Sequence, residues 1–112
     1  MKKTIVIDEK EYLMASSAFT QFAYRDLTGR SLLSDLNSLQ ELDLDDSNNL
    51  TNVIEMILDI SYIMVKEADD KQYQTKEDFI KSISRLFENM EWIEKVVTLA
   101  IMPLSGNVQK NQ

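Results

Sequence analysis

The chain of 112 residues contains no cysteine and no histidine. Without cysteine it can form neither a disulfide framework nor a thiolate nucleophile or thiolate metal site. Without histidine it lacks the commonest general base and the commonest ligand of transition metals. Any catalysis would have to rest on carboxylate, lysine, tyrosine or hydroxyl groups. We therefore expect a protein that is not an enzyme and that uses no cofactor and no metal.

Long apolar runs are absent as well, so no segment is expected to span a bilayer. The apolar stretch from Thr4 to Ile7 is too short for the core of a signal peptide, which makes the cytoplasm the expected compartment. The formal net charge is -7, and this charge disfavours nonspecific attraction to nucleic acid phosphates. The expected partner is a basic or apolar protein surface.

Glycine and proline are scarce, with two and one in the chain, and each marks a break in the pattern. Gly29 lies between two leucine-rich runs and fits the position just past a helix end, where a left-handed backbone costs glycine little. This favours a structural corner between two helices over a ligand-binding glycine loop. Pro103 is expected to close the last helix.

The first elements are an N-terminal hairpin and a short helix. The segments "TIVI" and "YLMA" predict two strands joined by the polar turn "DEKE". A helix is then predicted from a cap at Ser16 or Ser17 to about Thr28. Its apolar positions at helical spacing are Phe19, Phe22, Ala23 and Leu27.

Four further helices follow from caps and apolar periodicity. Ser31 is expected to cap the second helix, Thr75 the fourth, with Asp78 in a capping-box-like position, and Asn89 the last. The third is the most hydrophobic and is predicted to be central, buried on more than one side. The apolar positions of the four helices are, in order, Leu32, Leu33, Leu36, Leu39 and Leu42; Leu50, Val53, Ile54, Ile57, Leu58, Ile60 and Met64; Phe79, Ile80, Ile83, Leu86 and Phe87; and Trp92, Ile93, Val96, Val97, Ala100 and Ile101.

The predicted fold is mainly α: a small single-domain helical bundle of about four to five helices with a short N-terminal β-hairpin. The domain is expected to span residues 1–103, and residues 104–112 are expected to form a flexible tail because they offer little to bury.

The segment "DLDDSNN", Asp43 to Asn49, is predicted to be an exposed acidic loop. Its oxygens are spaced like the start of an EF-hand loop. Counted from Asp43, however, the required glycine position holds Asn48 and the bidentate glutamate position holds Ile54. The pattern therefore favours a solvated loop over a calcium site.

Candidate partner-binding residues are chosen from chemistry that interfaces favour. Aromatic and arginine side chains anchor interfaces, and methionine suits adaptable apolar surfaces. Tyr24 fits the edge of a core equally well, and Trp92 is of a type more often buried. The predicted contact residues are Tyr24, Arg25, Arg30, Met90, Trp92 and Met102.

Three acidic residues, Glu88, Glu91 and Glu94, lie along the region from the fourth helix to the last. They form either an ordinary solvated face or a negative rim that attracts a basic amphipathic segment. The sequence leaves both alternatives open.

The order of these features resembles a known family. An aromatic helix running into "LTGRSLLSDL", an acidic spacer, a long apolar helix and "TKEDFIKSISRLFENMEWIEKVV" are similar to the tail assembly chaperones of long-tailed, siphovirus-like bacteriophages and prophages of Gram-positive bacteria. The resemblance extends from about Ile5 to about Ile101, and its most telling part is the aromatic helix that leads into Thr28, Gly29 and Leu32.

The resemblance implies a protein that binds the tape measure protein, keeps it soluble and assists assembly of the tail tube. It also implies action in the cytoplasm of the bacterial host and absence from the mature virion. A longer frameshifted form would contact the tail tube protein, and self-association is a further expectation. The alternative is a small acidic regulator or inhibitor that occupies the basic site of another protein.

Overall fold

The computed structural model describes residues 1–39 and 46–105. The protein is mainly helical, with an N-terminal two-stranded antiparallel hairpin and, within these ranges, five helices, which confirms the predicted class at this level. No helix in the described ranges is both long and apolar enough to cross a membrane. The elements are β1 (Lys2–Ile7), β2 (Lys10–Ala15), α1 (Thr20–Thr28), α2 (Leu32–Ser38), α3 (Ser47–Ala68), α4 (Lys76–Lys81) and α5 (Glu91–Ser105).

The hairpin turns more tightly than expected. Asp8 and Glu9 both have left-handed backbones, with φ of 51° and 71°, as in the two-residue turns that match the twist of a hairpin. Lys10 therefore belongs to β2 and pairs with Ile7. One face of the hairpin buries four large side chains against the helices: Ile5, Ile7, Tyr12 and Met14.

Helix α3 forms the centre of the core, as predicted, and packs against β2, α1, α4 and α5. It begins after Asp46, whose side chain accepts a hydrogen bond from the Asn48 N–H at 2.9 Å. The acidic segment is thus partly the capped start of a helix. The rest of the predicted loop, Asp43–Asp45, lies outside the described residues, as do Leu42 and the predicted tail from residue 106 onward.

Helix α4 is shorter than predicted. Thr75 caps it as expected, accepting from the Asp78 N–H at 3.1 Å, but the helix ends at Lys81 instead of continuing to Phe87. The Ser82 hydroxyl bonds back to the Phe79 carbonyl and lies 2.9 Å from the Tyr12 hydroxyl. Such side-chain bonds compete with helical ones and allow the chain to leave the helix.

Helix α5 continues past Pro103 to Ser105, so the predicted helix end at Pro103 is wrong. Proline has no N–H, and in a helix it removes the bond to the carbonyl four residues earlier, here that of Leu99. The buried Ser16 hydroxyl donates to the Leu99 carbonyl at 2.8 Å. A residue from the N-terminal region thereby supplies the missing donor. At the other end, Asn89 accepts from the Glu91 N–H at 3.0 Å, as predicted.

Candidate functional site: an apolar groove between α1 and α3

Helix α1 presents its apolar stripe to solvent. Phe19 at its N-terminus and Phe22 within it are 60% and 58% exposed, and Leu27 is 39% exposed. The residues it buries are Thr20 and Tyr24. The helix is where the sequence predicts it, but the side chains at the predicted apolar positions are largely outside the core.

Hydrogen bonds to Thr20 explain part of this orientation. The Thr20 hydroxyl accepts from the Ser17 N–H at 2.8 Å and donates to Glu67 of α3 at 2.8 Å. Ser17 in turn accepts from the Phe19 N–H at 3.1 Å, so Ser17 shapes the start of α1 while Ser16 bonds to α5. A buried hydroxyl that both accepts and donates a hydrogen bond costs little free energy, so Thr20 can face the core. Phe19, on a different side of the helix, then faces solvent.

The corner after α1 is structural, as the sequence indicates. Gly29 has φ of 75°, and its N–H donates to the Arg25 carbonyl at 2.8 Å. Ser31 then caps α2 by accepting from the Ser34 N–H at 3.2 Å. Glycine is suited to this left-handed position because it has no β-carbon.

At the same corner, hydrogen bonds join the side chains of Tyr24, Arg30 and Asp35. The Tyr24 hydroxyl donates to Asp35 at 2.5 Å, and the Arg30 Nε donates to the same carboxylate oxygen at 2.8 Å. A second Arg30 nitrogen lies 3.1 Å from the Tyr24 hydroxyl. Burial, followed by the hydrogen bond to Asp35, raises the pKa of Tyr24. Two of the predicted contact residues, Tyr24 and Arg30, thus help to hold the fold.

The six predicted contact residues lie in different settings. Tyr24 and Trp92 are core residues, and the Trp92 indole donates to the Leu86 carbonyl at 3.2 Å. The rings of both residues are buried in the core, and their contact with a partner stays a prediction. Arg25, Arg30, Met90 and Met102 are exposed. None of the six lines the groove between α1 and α3.

This apolar groove has a volume of about 360 Å³. Ala23 is the small residue of the α1 wall, one turn from Phe19 on one side and one turn from Leu27 on the other. The depression therefore lies between two large exposed side chains. The groove is lined by Phe19, Ala23, Asp26, Leu27, Tyr62, Ile63, Lys66 and Glu67.

Two carboxylates and one ammonium group line the groove, and the ammonium group already donates two hydrogen bonds. Lys66 donates to the carbonyls of Asp70 and Tyr73, at 2.5 and 2.8 Å, just past the end of α3. Asp26 and Glu67 contribute one carboxylate from each wall. The polar edge of the groove is therefore net negative.

A second concavity, of about 380 Å³, lies where the hairpin turn meets the start of α5, and its lining is acidic. Glu88 and Glu91 of the predicted negative rim line this concavity rather than the apolar groove, together with Asp8 and Glu9. Asp8 is paired with Arg85 at 3.0 Å. Over residues 1–39 and 46–105, no cluster of three or more histidine, cysteine or acidic residues could hold a metal ion.

The sequence contains one signal for the exposure of one side of α1 that apolar spacing alone does not reveal. In the nine-residue helix α1, Tyr24 projects to the side opposite Phe22 and Asp26. A short surface helix cannot bury large side chains on both sides, so one set has to face solvent.

Comparisons with protein-family models, with curated proteins and with solved structures find no match to this chain. Function is therefore inferred from the groove, from the charge of the molecule and from the order of sequence features.

Proposed function

We propose that this protein is a phage tail assembly chaperone that acts in the bacterial host cytoplasm, binds the tape measure protein and keeps it soluble. The observation that carries the proposal is the pair of exposed apolar side chains, Phe19 and Leu27, on either side of the groove. Apolar anchor side chains of protein partners bind in pockets of this kind. The resemblance of the sequence to tail assembly chaperones supports the same role.

The size of the apolar surface supports transient binding. The exposed parts of Phe19 and Leu27, 60% and 39%, together amount to about one side chain. Burying one large apolar side chain contributes about 1.5–3 kcal/mol before the costs of association are subtracted. A single groove would hold a partner weakly and release it readily. Stable solubilisation of a long helical protein would then need several copies along its length.

The test is coexpression with the tape measure protein of the same phage or prophage. We expect the tape measure protein to become soluble and to copurify at both low and high salt, because apolar contacts are screened little by ions. Phe19→Ser should reduce the soluble fraction severalfold. Phe22→Ser is the matched control, because Phe22 is equally exposed but does not line the groove.

Failure of the wild-type protein to solubilise or retain its partner would refute the chaperone role. If Phe19→Ser and Phe22→Ser behaved alike, solubilisation would not depend on the groove, and the role would have to be assigned to another surface.

The acidic concavity favours a second candidate function, that of a small regulator or inhibitor of a protein with a basic site. Asp8, Glu9, Glu88 and Glu91 contribute four carboxylates to its lining, and the whole chain carries a net charge of -7. Binding of this kind should weaken steeply as salt rises. Copurification that disappears at high salt, and that Glu88→Gln weakens, would favour the regulator over the chaperone.

A further inference from the structure

The geometry points to one kind of occupant for the α1–α3 groove: an amphipathic helix with basic residues on both sides of a short apolar contact. This inference rests on the proposed function, because it assigns the chemistry of the segment that the same groove would bind.

The shape of the groove favours a helix over an extended segment. Both walls are helices, whose backbone groups are already paired within each helix, so an extended peptide would find no strand edge to join. The α1 wall runs from Phe19 to Leu27, eight residue steps or about 12 Å along a helix axis, which is about two turns. An occupying helix would therefore insert one or two large apolar side chains beside Ala23.

The carboxylates mark both ends of this contact. Glu67 bonds to Thr20 in the first turn of α1, which places it near the Phe19 end of the groove. Asp26 lies six residues after Thr20, about 9 Å further along the helix axis. Two basic residues about seven positions apart on one face of the occupant would meet these carboxylates, with the apolar residues between them.

The hydrogen bonds that Lys66 makes strengthen the preference for a basic occupant. Its ammonium group donates to the Asp70 and Tyr73 carbonyls, so it is held toward the loop after α3. An acidic helix would therefore meet Asp26 and Glu67 without a free compensating cation among the residues that line the groove. Like charges brought together at an interface disfavour the wrong partner, which gives the groove a charge-based specificity.

The experiment uses the full chain and two designed helical peptides of about 20 residues, longer than the roughly 12–15 residues below which an isolated helix is marginal in water. Both carry the same apolar residues at positions i+3 and i+4, but one has lysine and the other glutamate at i and i+7. We expect the lysine peptide to bind at least tenfold more tightly than the glutamate peptide in low salt. Equal affinities, or tighter binding of the glutamate peptide, would overturn the inference.

Substitutions in the chain test whether the peptides bind in the α1–α3 groove. Asp26→Asn should reduce the preference for lysine severalfold, whereas Glu94→Gln, which removes an exposed carboxylate of α5 outside the groove, should leave it unchanged. Ala23→Phe should fill the groove and abolish binding of both peptides. Because a larger side chain at half-buried Ala23 could disturb folding, Phe19→Ser provides a second test at an exposed position. Unchanged binding in Phe19→Ser would place the peptide elsewhere and refute the inference.

The outcomes separate this inference from the chaperone role. If the tape measure protein stays insoluble but the lysine peptide binds in the groove, the chaperone role is refuted and the inference about the occupant of the groove is supported. If the tape measure protein is solubilised without any preference for lysine, the function stands and this inference fails. A change of oligomeric state in Ala23→Phe, measured by sedimentation, would identify a second copy of the chain as the occupant and would also overturn it.

Discussion

Helices α1 and α3 line the same groove, but they are held in place by different forces. Helix α3 buries ten residues, and most of them are aliphatic. Helix α1 buries two, Thr20 and Tyr24, and both use their hydroxyl groups in hydrogen bonds. The comparison indicates that apolar burial fixes the α3 wall, whereas α1 is held by one buried ring together with hydrogen bonds, which leaves Phe19 and Phe22 exposed.

This division of roles suits a protein that must bind apolar partners while remaining folded. If α1 were held mainly by Phe19 and Leu27, a partner that covered these residues would compete with the protein's own core. The bonds of Thr20 to Glu67 and of Tyr24 to Asp35 hold the helix through other side chains. Binding at the groove can then occur without loss of the fold.

The strongest test of this comparison is to shorten one buried side chain of α3. Ile60→Ala should reduce the free energy of unfolding by about 2–5 kcal/mol, because Ile60 is fully buried and the substitution leaves a cavity. Phe22→Ala on α1 is the control and should change it by at most about 0.5 kcal/mol. Denaturant unfolding monitored by circular dichroism measures both. A large loss in Phe22→Ala would contradict the outward orientation of α1.

Alkaline pH should reduce the free energy of unfolding through two buried tyrosines, one of them Tyr24 of α1. Burial raises the pKa of Tyr24 and, to a lesser degree, that of Tyr12 above the ordinary value of 10.0. Above pH 10 the unfolded chain therefore binds fewer protons than the folded one. The free energy of unfolding should then fall by about 1.4 kcal/mol per pH unit for each such tyrosine until its folded-state pKa is reached.

The substitution that isolates this effect is Tyr24→Phe, since phenylalanine does not titrate. Stability measured by denaturant at several pH values above 10 should fall less steeply in Tyr24→Phe than in the wild-type protein. Below pH 9 the two profiles should run parallel, because Tyr24 is neutral in both the folded and unfolded states there. An identical alkaline slope in the two proteins would show that Tyr24 does not remain protonated in the fold.

Local signals in the sequence predicted much of the fold. The hairpin, the central helix, the caps at Ser31, Thr75 and Asn89 and the left-handed Gly29 all depend on residues close together in the chain. Cap and turn chemistry acts over a few residues, so it can be recognised without knowledge of the fold.

Two of the errors in the predicted fold coincide with contacts between distant residues. Helix α5 continues through Pro103 in the presence of the bond from Ser16 to Leu99, which joins residues 83 positions apart. Helix α4 ends early where Ser82 meets Tyr12, 70 positions away. Tertiary contacts of this kind override local preference.

The groove could be predicted least from the sequence, because residue type indicates preference but not exposure. Tyrosine and tryptophan are favoured at interfaces and in cores alike. Tyr24 and Trp92 lie in the core, while Phe19, which fits a core stripe by spacing, lines the groove. For Tyr24 and Phe19 the direction in which α1 packs separates the two cases, and the bonds of α1 to Glu67 and Asp35 accompany that direction.

The smallest expected effect concerns how the two helices end. Helix α1 ends at Gly29 with φ of 75°, whereas α3 ends at Asp69 with φ of -158°, an extended backbone open to any residue. A β-carbon added at Gly29 would meet no atom within 4 Å. Gly29→Ala should therefore cost only the strain of the left-handed backbone, about 1 kcal/mol.

Gly29→Asn should cost less than Gly29→Ala, because asparagine tolerates the left-handed conformation better. Denaturant unfolding of the two variants measures the difference. Equal stability of wild type and Gly29→Ala would mean that the corner is not left-handed in solution. A loss as large as that of Ile60→Ala would mean that Gly29 is crowded by neighbours. A loss of about 1 kcal/mol, partly recovered by asparagine, would indicate that backbone conformation at this corner helps to orient α1, in contrast to α3, which is placed by the core.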